Sequence, residues 1–577
     1  MAIQHSPVTQ SLSVAESLGD KLADAMQATL AAWRTDETCR RLWARDANVW
    51  TGGDEARWLN WLDAVANSRA HAADLNEFGA SLQRERVTHA LLIGMGGSSL
   101  GPEVLAQVFG KQHGAPQLLV LDSTDPAQIA ACEAQLDFQH TLFIVASKSG
   151  STLEPDILCR YFLDRARNKL GTNAGSRFVA ITDPGSQLEA YAADNGFRRV
   201  FKGDPCIGGR YSVLSNFGMV PATVMGLNVA TLLANAALMV QRCGPETPVD
   251  ENPGVRLGAV LGTAAKLGRD KLTLLAAGKL APFGAWVEQL VAESTGKHGC
   301  GIVPVDAEPI GSTAAYGNDR LFVHLRVEGE HECDETIATL VKAGQPVVTL
   351  TLAEPMQLGE EFFCWEMATA VAGAIMGVHP FDQPDVEAAK IQTKAVIAAY
   401  EQGQPAPQPA ALLEHGSLRF YVDDANARRL KANGAGSSAT SLVQALLVQL
   451  EAGDYFALLA YLNMNAAHRD VLQAIRSQVR DTRRVATCLG FGPRFLHSTG
   501  QLYKGGANNG VFLQITCDDA RDIAVPGRPY RFGVVKSAQA SGDLAVLTER
   551  GRRVLHVHLG ADVTKGLNEL RAAFDVA

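Results

Sequence analysis

Two short runs of glycine, serine and threonine hold the residues whose types and spacing could do chemistry. In Phe143-Ile-Val-Ala-Ser-Lys-Ser-Gly-Ser-Thr152, an apolar segment breaks into hydroxyl, lysine and glycine residues before Leu153 and Glu154 open a helical pattern. A helix N-terminus presents unpaired backbone NH groups and a positive dipole end, so such a loop suits an anion, a phosphate above all. Ser147, Ser149, Ser151 and Thr152 would add donors, and Lys148 charge. An ordinary turn capped by Ser or Thr uses the same residues. The second run, Leu91-Leu-Ile-Gly-Met-Gly-Gly-Ser-Ser-Leu-Gly-Pro102, places Gly97 and Ser98 after another apolar segment. Glycines there let backbone approach a ligand closely. Asp122 ends the next apolar run, as in a dinucleotide fingerprint, but the spacing GxGGSSxG and the second Ser-rich loop argue against NAD.

The elements that must hold these loops are legible around them. Apolar runs at Thr88 to Ile93, Gln117 to Leu121, Thr141 to Ala146, Arg177 to Thr182 and Arg198 to Phe201 alternate with helical patterns. That rhythm predicts a parallel sheet with right-handed crossovers and ligands at the carboxyl ends of its strands. Before it, Leu18, Leu22, Met26, Leu30 and Trp33 recur at helical spacing, so residues 10 to 75 read as helices. After it comes a long helical stretch, Tyr211 to Cys243, and a Pro-containing break. A second α/β unit follows, with strands at Lys271 to Ala277, Arg320 to Val327 and Gln345 to Leu352. The apolar run Phe362 to Val378 is interrupted by Glu366 and reads as a buried helix rather than a membrane span. The linker EQGQPAPQPAAL, expected to be exposed, precedes a third region with strands at Val485 to Gly490, Gly510 to Thr516 and Arg553 to Leu559. The expected division is therefore a helical lead-in at 1–75, α/β domains at 76–250 and 251–402, and a C-terminal α/β region at 403–577.

The chain has 577 residues, 47% of them hydrophobic and 20% charged, with a net charge of −9, which describes an ordinary globular protein. That charge argues against nucleic acid or an anionic membrane as partner. Ten cysteines without CxxC pairs read as reduced thiols of a cytoplasmic protein. The N-terminal residues lack a basic start followed by an apolar core, so no signal peptide is expected.

Five segments together resemble a known family. GMGGSSLGP and ASKSGSTLEP are similar to the two sugar-phosphate loops of the sugar isomerase (SIS) domain, in the form found in glucose-6-phosphate isomerases. Ile207 to Gly226 resembles that family's GGRxSxxSxxGxxP, Val287 to Gly299 its segment ending ESNGK, and Phe381 to Lys390 its FDQxGVExxK. The continuation beyond Lys390 resembles the isomerase half of fused transaldolase and glucose-6-phosphate isomerase proteins, without the transaldolase half. The resemblance implies two SIS-type doubly wound parallel-sheet subdomains and a small-molecule sugar phosphate as substrate. It also implies reversible isomerisation of D-glucose 6-phosphate and D-fructose 6-phosphate without metal or cofactor. Another sugar-phosphate isomerase, one also accepting mannose 6-phosphate, or an SIS-type regulator are the alternatives.

The resemblance also assigns roles. Glu293 becomes the base, with the end of an apolar helix partly desolvating it, and Gln289, four residues earlier on the same face, touches substrate. Arg210, after Gly208 and Gly209, would stabilise the enediolate, and Lys390 would lie near the ring oxygen. The family opens the sugar ring with a histidine, but Arg320 stands at the expected position and His324 falls four residues later on a strand. His497, in FLHSTGQLYKGG, resembles the missing segment and becomes the candidate. A third region carrying His497 could supply it in cis, so the protein is expected to be a homodimer or a pseudo-dimeric monomer. His556 and His558 form an HxH pair, but no further ligand-type residues accompany it at metal-binding spacing.

Overall fold

A computed structural model describes residues 13–404 and 410–575. Most of the N-terminal stretch read for a signal peptide, and residues 405–409 of the expected linker, lie outside the described residues. The linker's near side, residues 401–404, is exposed. Contacts divide the chain into two compact units. The first holds the described residues up to Asp122, Gln135–Thr295 and Leu321–Asp382; the second holds Ser123–Ala134, Gly296–Arg320 and the chain from Gln383 onward.

The first unit carries β1 (Ser13–Ser17), β2 (His89–Gly94), β3 (Gln117–Leu121), β4 (Thr141–Ala146), β5 (Phe178–Thr182), β6 (Arg199–Lys202) and β7 (Lys271–Ala276). After β8 (Val303–Val305), which belongs to the second unit, come β9 (Arg320–Val327) and β10 (Val347–Leu352). One sheet, in the order β3-β2-β4-β5-β6, is parallel throughout. Every residue of β4 is buried, which is why it reads as an unbroken apolar run. The second sheet places β1, β10, β9 and β7 in sequence, with β10 parallel to β9.

In the second unit, β11 (Leu413–His415), β12 (Leu418–Tyr421), β13 (Tyr455–Tyr461), β14 (Ala486–Phe491), β15 (Gly510–Thr516) and β16 (Arg553–His558) form a sheet in the order β11-β12-β16-β15-β13-β14. Its last four strands are parallel, and β11 and β12 form an antiparallel hairpin that extends it. The molecule is thus α/β, with several parallel-sheet subdomains.

Three expectations need correction. Residues 10 to 75 are not all helical: Ser13–Ser17 is a strand paired antiparallel with the β10 edge, a choice made by its partner rather than by local periodicity. The helical stretch at Tyr211 to Cys243 is two helices, Asn216–Val224 and Val229–Arg242, broken where Gly226 takes φ 88° and Asn228 caps the next N-terminus. The sequence reading also missed β13, whose seven buried residues form an apolar run too short for periodicity to separate strand from helix. The run at Phe362 to Val378 is largely the helix Leu358–Met376, and Glu366 within it is fully buried. Burial raises that carboxyl well above its ordinary range, so it stays neutral. No helix among the described residues is long and apolar enough to cross a membrane.

Candidate active site

Parallel pairing of β2 with β4 sets Gly94 opposite Ala146, so both Gly/Ser loops leave neighbouring strands at their carboxyl ends. After β2 the chain makes a single 3-10 turn, Gly96–Ser98, with Gly96 at φ 55°, and then enters the helix Leu100–Phe109. A Cβ on Gly97 would lie 2.0 Å from the carbonyl oxygen of Gly209, so the first loop presses directly on the backbone that carries Arg210. Ser98 is buried beside it. After β4, Ser147 is buried, and Ser149 and Ser151 share a hydrogen bond of 2.9 Å. Thr152, in extended conformation, precedes the helix Leu153–Leu170. Lys148 turns back: its ammonium donates to Asp183 Oδ1 at 2.9 Å and to the Asp204 carbonyl at 2.7 Å.

Arg210 and Glu293 are held face to face. The helix Phe283–Thr295 carries Gln289 and Glu293 one turn apart, and both are buried. Gln289 Nε2 donates to Glu293 Oε2 at 3.1 Å, while Arg210 Nη1 lies 3.4 Å from Oε1, so each carboxylate oxygen has its own partner. Arg210 is only 2% exposed. Its Nε donates to Ser294 Oγ at 2.7 Å, and its Nη2 to the carbonyls of Pro380 at 2.7 Å and Asp382 at 2.9 Å. Those carbonyls belong to a turn built by His379, whose Nδ1 accepts from the backbone NH groups of Phe381 and Asp382. His379 Nε2 in turn meets Asp54 Oδ1 at 2.9 Å. Ser294, His379 and Asp54 were not singled out from the sequence. Ser294 adjoins Glu293 within a motif, whereas nothing local marks Asp54, which is distant in the chain.

The other two candidates lie in the second unit. Lys390 is on the helix Pro384–Glu401, exposed, with its ammonium 3.4 Å from Glu387 Oε2. His497 ends the 3-10 turn Arg494–His497 and is partly buried beside the buried Phe495 and Leu496. Arg320, found where the family pattern has histidine, is a buried cation: Nη1 pairs with Glu308 Oε2 at 3.0 Å and Nη2 donates to the Val485 carbonyl at 3.2 Å. Burial would raise Glu308, but Arg320 and Arg476 outweigh it and hold the carboxyl below its ordinary range. Burial, with Arg326 nearby, lowers His324, which makes it a neutral core histidine. His556 and His558 both contact Thr516 Oγ1, at 2.7 and 2.9 Å, and burial with mutual repulsion lowers His556 to about 3. Among the described residues no group of three or more His, Cys, Asp or Glu is arranged to hold a metal ion.

Parallel sheet, paired Gly/Ser loops and the clamped Arg210–Glu293 pair define an α/β protein of the sugar isomerase fold class. Residues 76–310 match the phosphoglucose isomerase family. The glucose-6-phosphate isomerase of Rubrobacter xylanophilus is 32% identical over 388 residues, spanning 57% of this chain and 87% of that protein. The chain belongs to the phosphoglucose isomerase family. Two solved structures share the fold. One is a hypothetical protein of Thermus thermophilus, with TM-score 0.57 and 24% identity over 66% of this chain and 99% of that one. The other is a glucose-6-phosphate isomerase of Chlamydia trachomatis, with TM-score 0.51 and 22% identity over 63% of this chain and 78% of that one.

Proposed function

We propose that this protein interconverts D-glucose 6-phosphate and D-fructose 6-phosphate, with Glu293 moving a proton between C1 and C2. The observation that carries this reading is the buried carboxylate held on one oxygen by Arg210 and on the other by Gln289. Family membership supplies the substrate class. Ser147, Ser149, Ser151 and Thr152, with Gly97 and Ser98 beside them and Lys148 bracing the loop, hold the phosphate. His497 opens the ring, passing a proton to the ring oxygen while the O1 hydroxyl gives its proton to water and C1 becomes a carbonyl, and Lys390 supports the charge at the ring oxygen. Glu293 then takes the C2 proton, O1 is protonated, and a cis-enediol forms; Arg210 stabilises the negative charge that develops on oxygen. Return of the proton to C1 and loss of the O2 proton give the ketose.

A coupled assay on fructose 6-phosphate tests this. Glu293→Gln is expected to lose at least ~100-fold in kcat with KM little changed, as removal of a general base does. Near-normal turnover in the variant would reject Glu293 as the base, and absence of turnover in the unaltered protein would favour a sensor of sugar phosphates. Activity on mannose 6-phosphate, measured alongside, bounds the substrate range. Turnover is expected to survive dialysis against a chelator.

The protein is then a homodimer or a pseudo-dimeric monomer, according to whether His497 acts across a subunit interface or within its own chain. Mixing Glu293→Gln with His497→Asn protein separates the cases, because shared sites across a homodimer would restore activity and sites complete in one chain would not. Ten cysteines without a CxxC pair suit a reducing compartment, and we place the protein in the cytoplasm. Recovery in the soluble cytoplasmic fraction of lysed cells checks that placement.

A further inference from the structure

We infer that a cavity of about 410 Å³ in the second unit, walled by His298, Asp385, Lys504, Gly506, Arg550 and Arg552, binds a small phosphate-bearing anion. The volume lies within the range of small-molecule sites. Its cationic groups are not equally compensated. Lys504 is fully buried and faces the buried Asp543 at 2.6 Å, and half-exposed Arg550 pairs with Asp385 Oδ1 at 2.5 Å. Arg552 is 4% exposed and makes no ion pair among the described residues. Its Nη2 donates to the carbonyls of Lys504 at 2.5 Å and Gly506 at 2.8 Å, which fixes the guanidinium plane, while its buried Nε has no hydrogen-bond partner among the described residues.

A buried guanidinium without a carboxylate partner is costly unless an opposite charge comes near it. Burial lowers its pKa; Tyr455 and Asp385 oppose that fall, and Arg550 and Arg553 add to it. Three cations against two carboxylates leave the cavity positive, with the exposed imidazole of His298 at its rim. A phosphomonoester dianion answers both needs, since its oxygens accept from guanidinium forks and its charge offsets the surplus. None of the residues that wall the cavity is among those assigned to the substrate, so an occupant there is distinct from the bound substrate.

Calorimetric titration of the full-length protein with inorganic phosphate tests this, and binding is read directly whether or not the isomerase reading holds. Arg550→Ala is expected to weaken this site at least about tenfold, as loss of a charge-assisted contact does, and to leave phosphate-free turnover unchanged. Asp385→Asn, which frees Arg550, is expected to tighten it. Ser151→Asp, which places a negative charge in the substrate loop, is expected to leave it intact. Phosphate binding that survives Arg550→Ala and disappears in Ser151→Asp would overturn the inference. So would weakening in Asp385→Asn as large as in Arg550→Ala, which marks a merely structural cluster, or absence of any binding in the unaltered protein.

Discussion

Glu293 and Arg210 show how much of a site can be read one residue at a time. Their types and motif context single them out; the clamp that aims Arg210 does not show until the chain is folded. Two carbonyls and the Ser294 hydroxyl hold the guanidinium so that Nη1 faces Glu293. Replacement by lysine keeps the charge and loses the fork, so Arg210→Lys is expected to lower kcat at least ~100-fold. Steady-state kinetics with both sugar phosphates check this. In the proposed reaction His379 acts as a positioning residue. His379→Ala releases the turn at residues 380–382 and is expected to lower kcat about tenfold with a smaller change in KM, since misplacement acts on the transition state. His379→Asn, which keeps an acceptor near the turn, is expected to recover part of the loss, and equal losses in both variants would reject the role.

At the scale of elements, two buried helices decide whether the first unit closes. Gly254, Gly258 and Gly262 recur every four residues on the helix Pro253–Lys266 and face Leu358–Met376. A Cβ on Gly258 would lie 2.5 Å from the Ala368 carbonyl, so Gly258→Ala is expected to cost about 1–3 kcal/mol of stability and Gly258→Leu to abolish soluble expression. Urea unfolding measures the first and expression yield the second. The same long helix carries Glu361, raised to about 8 by burial and by repulsion from Glu360. Because the folded state keeps a proton that the unfolded chain releases, this group's contribution is fully present below its ordinary value of about 4.5 and is lost as pH rises towards 8. Glu361→Gln keeps an acceptor for Trp365 Nε1 and is expected to flatten that loss, which has an upper bound of ~1.4 kcal/mol per pH unit. Parallel stability profiles for the two proteins between pH 5 and 8 would refute this.

At the scale of the whole molecule, chain order and compactness divide the protein differently. Ser123–Ala134 and Gly296–Arg320 are distant in sequence from residue 383, yet each is built into the second unit. Lys536 pairs with Asp125 at 2.9 Å, both buried, and Thr124 donates to Gln539 at 2.7 Å. Arg476 donates to the Asp306 carbonyl at 2.7 Å, and Glu308 accepts from the Thr487 backbone and hydroxyl. A chain ending at residue 402 would leave those partners unpaired and Asp125 without its cation, while Glu308 would keep Arg320 and lose Arg476 and Thr487. It is expected to be insoluble or to unfold without cooperativity, as circular dichroism on heating would show.

The sequence by itself placed most strands of the parallel sheets to within a residue or two, because buried parallel strands tend to read as apolar runs, although β13, also an apolar run, escaped it. It also singled out the loop pair and Arg210, Gln289 and Glu293 as candidates, by residue type and motif context. Only the tertiary structure decided the antiparallel pairing of Ser13–Ser17, the strand at Tyr455–Tyr461, the engagement of Lys148 by Asp183, and the line from Asp54 through His379 to Arg210. Each of these rests on a partner far away in the chain. Local pattern encodes burial and helix or strand period, but not which distant group will be waiting on the other side.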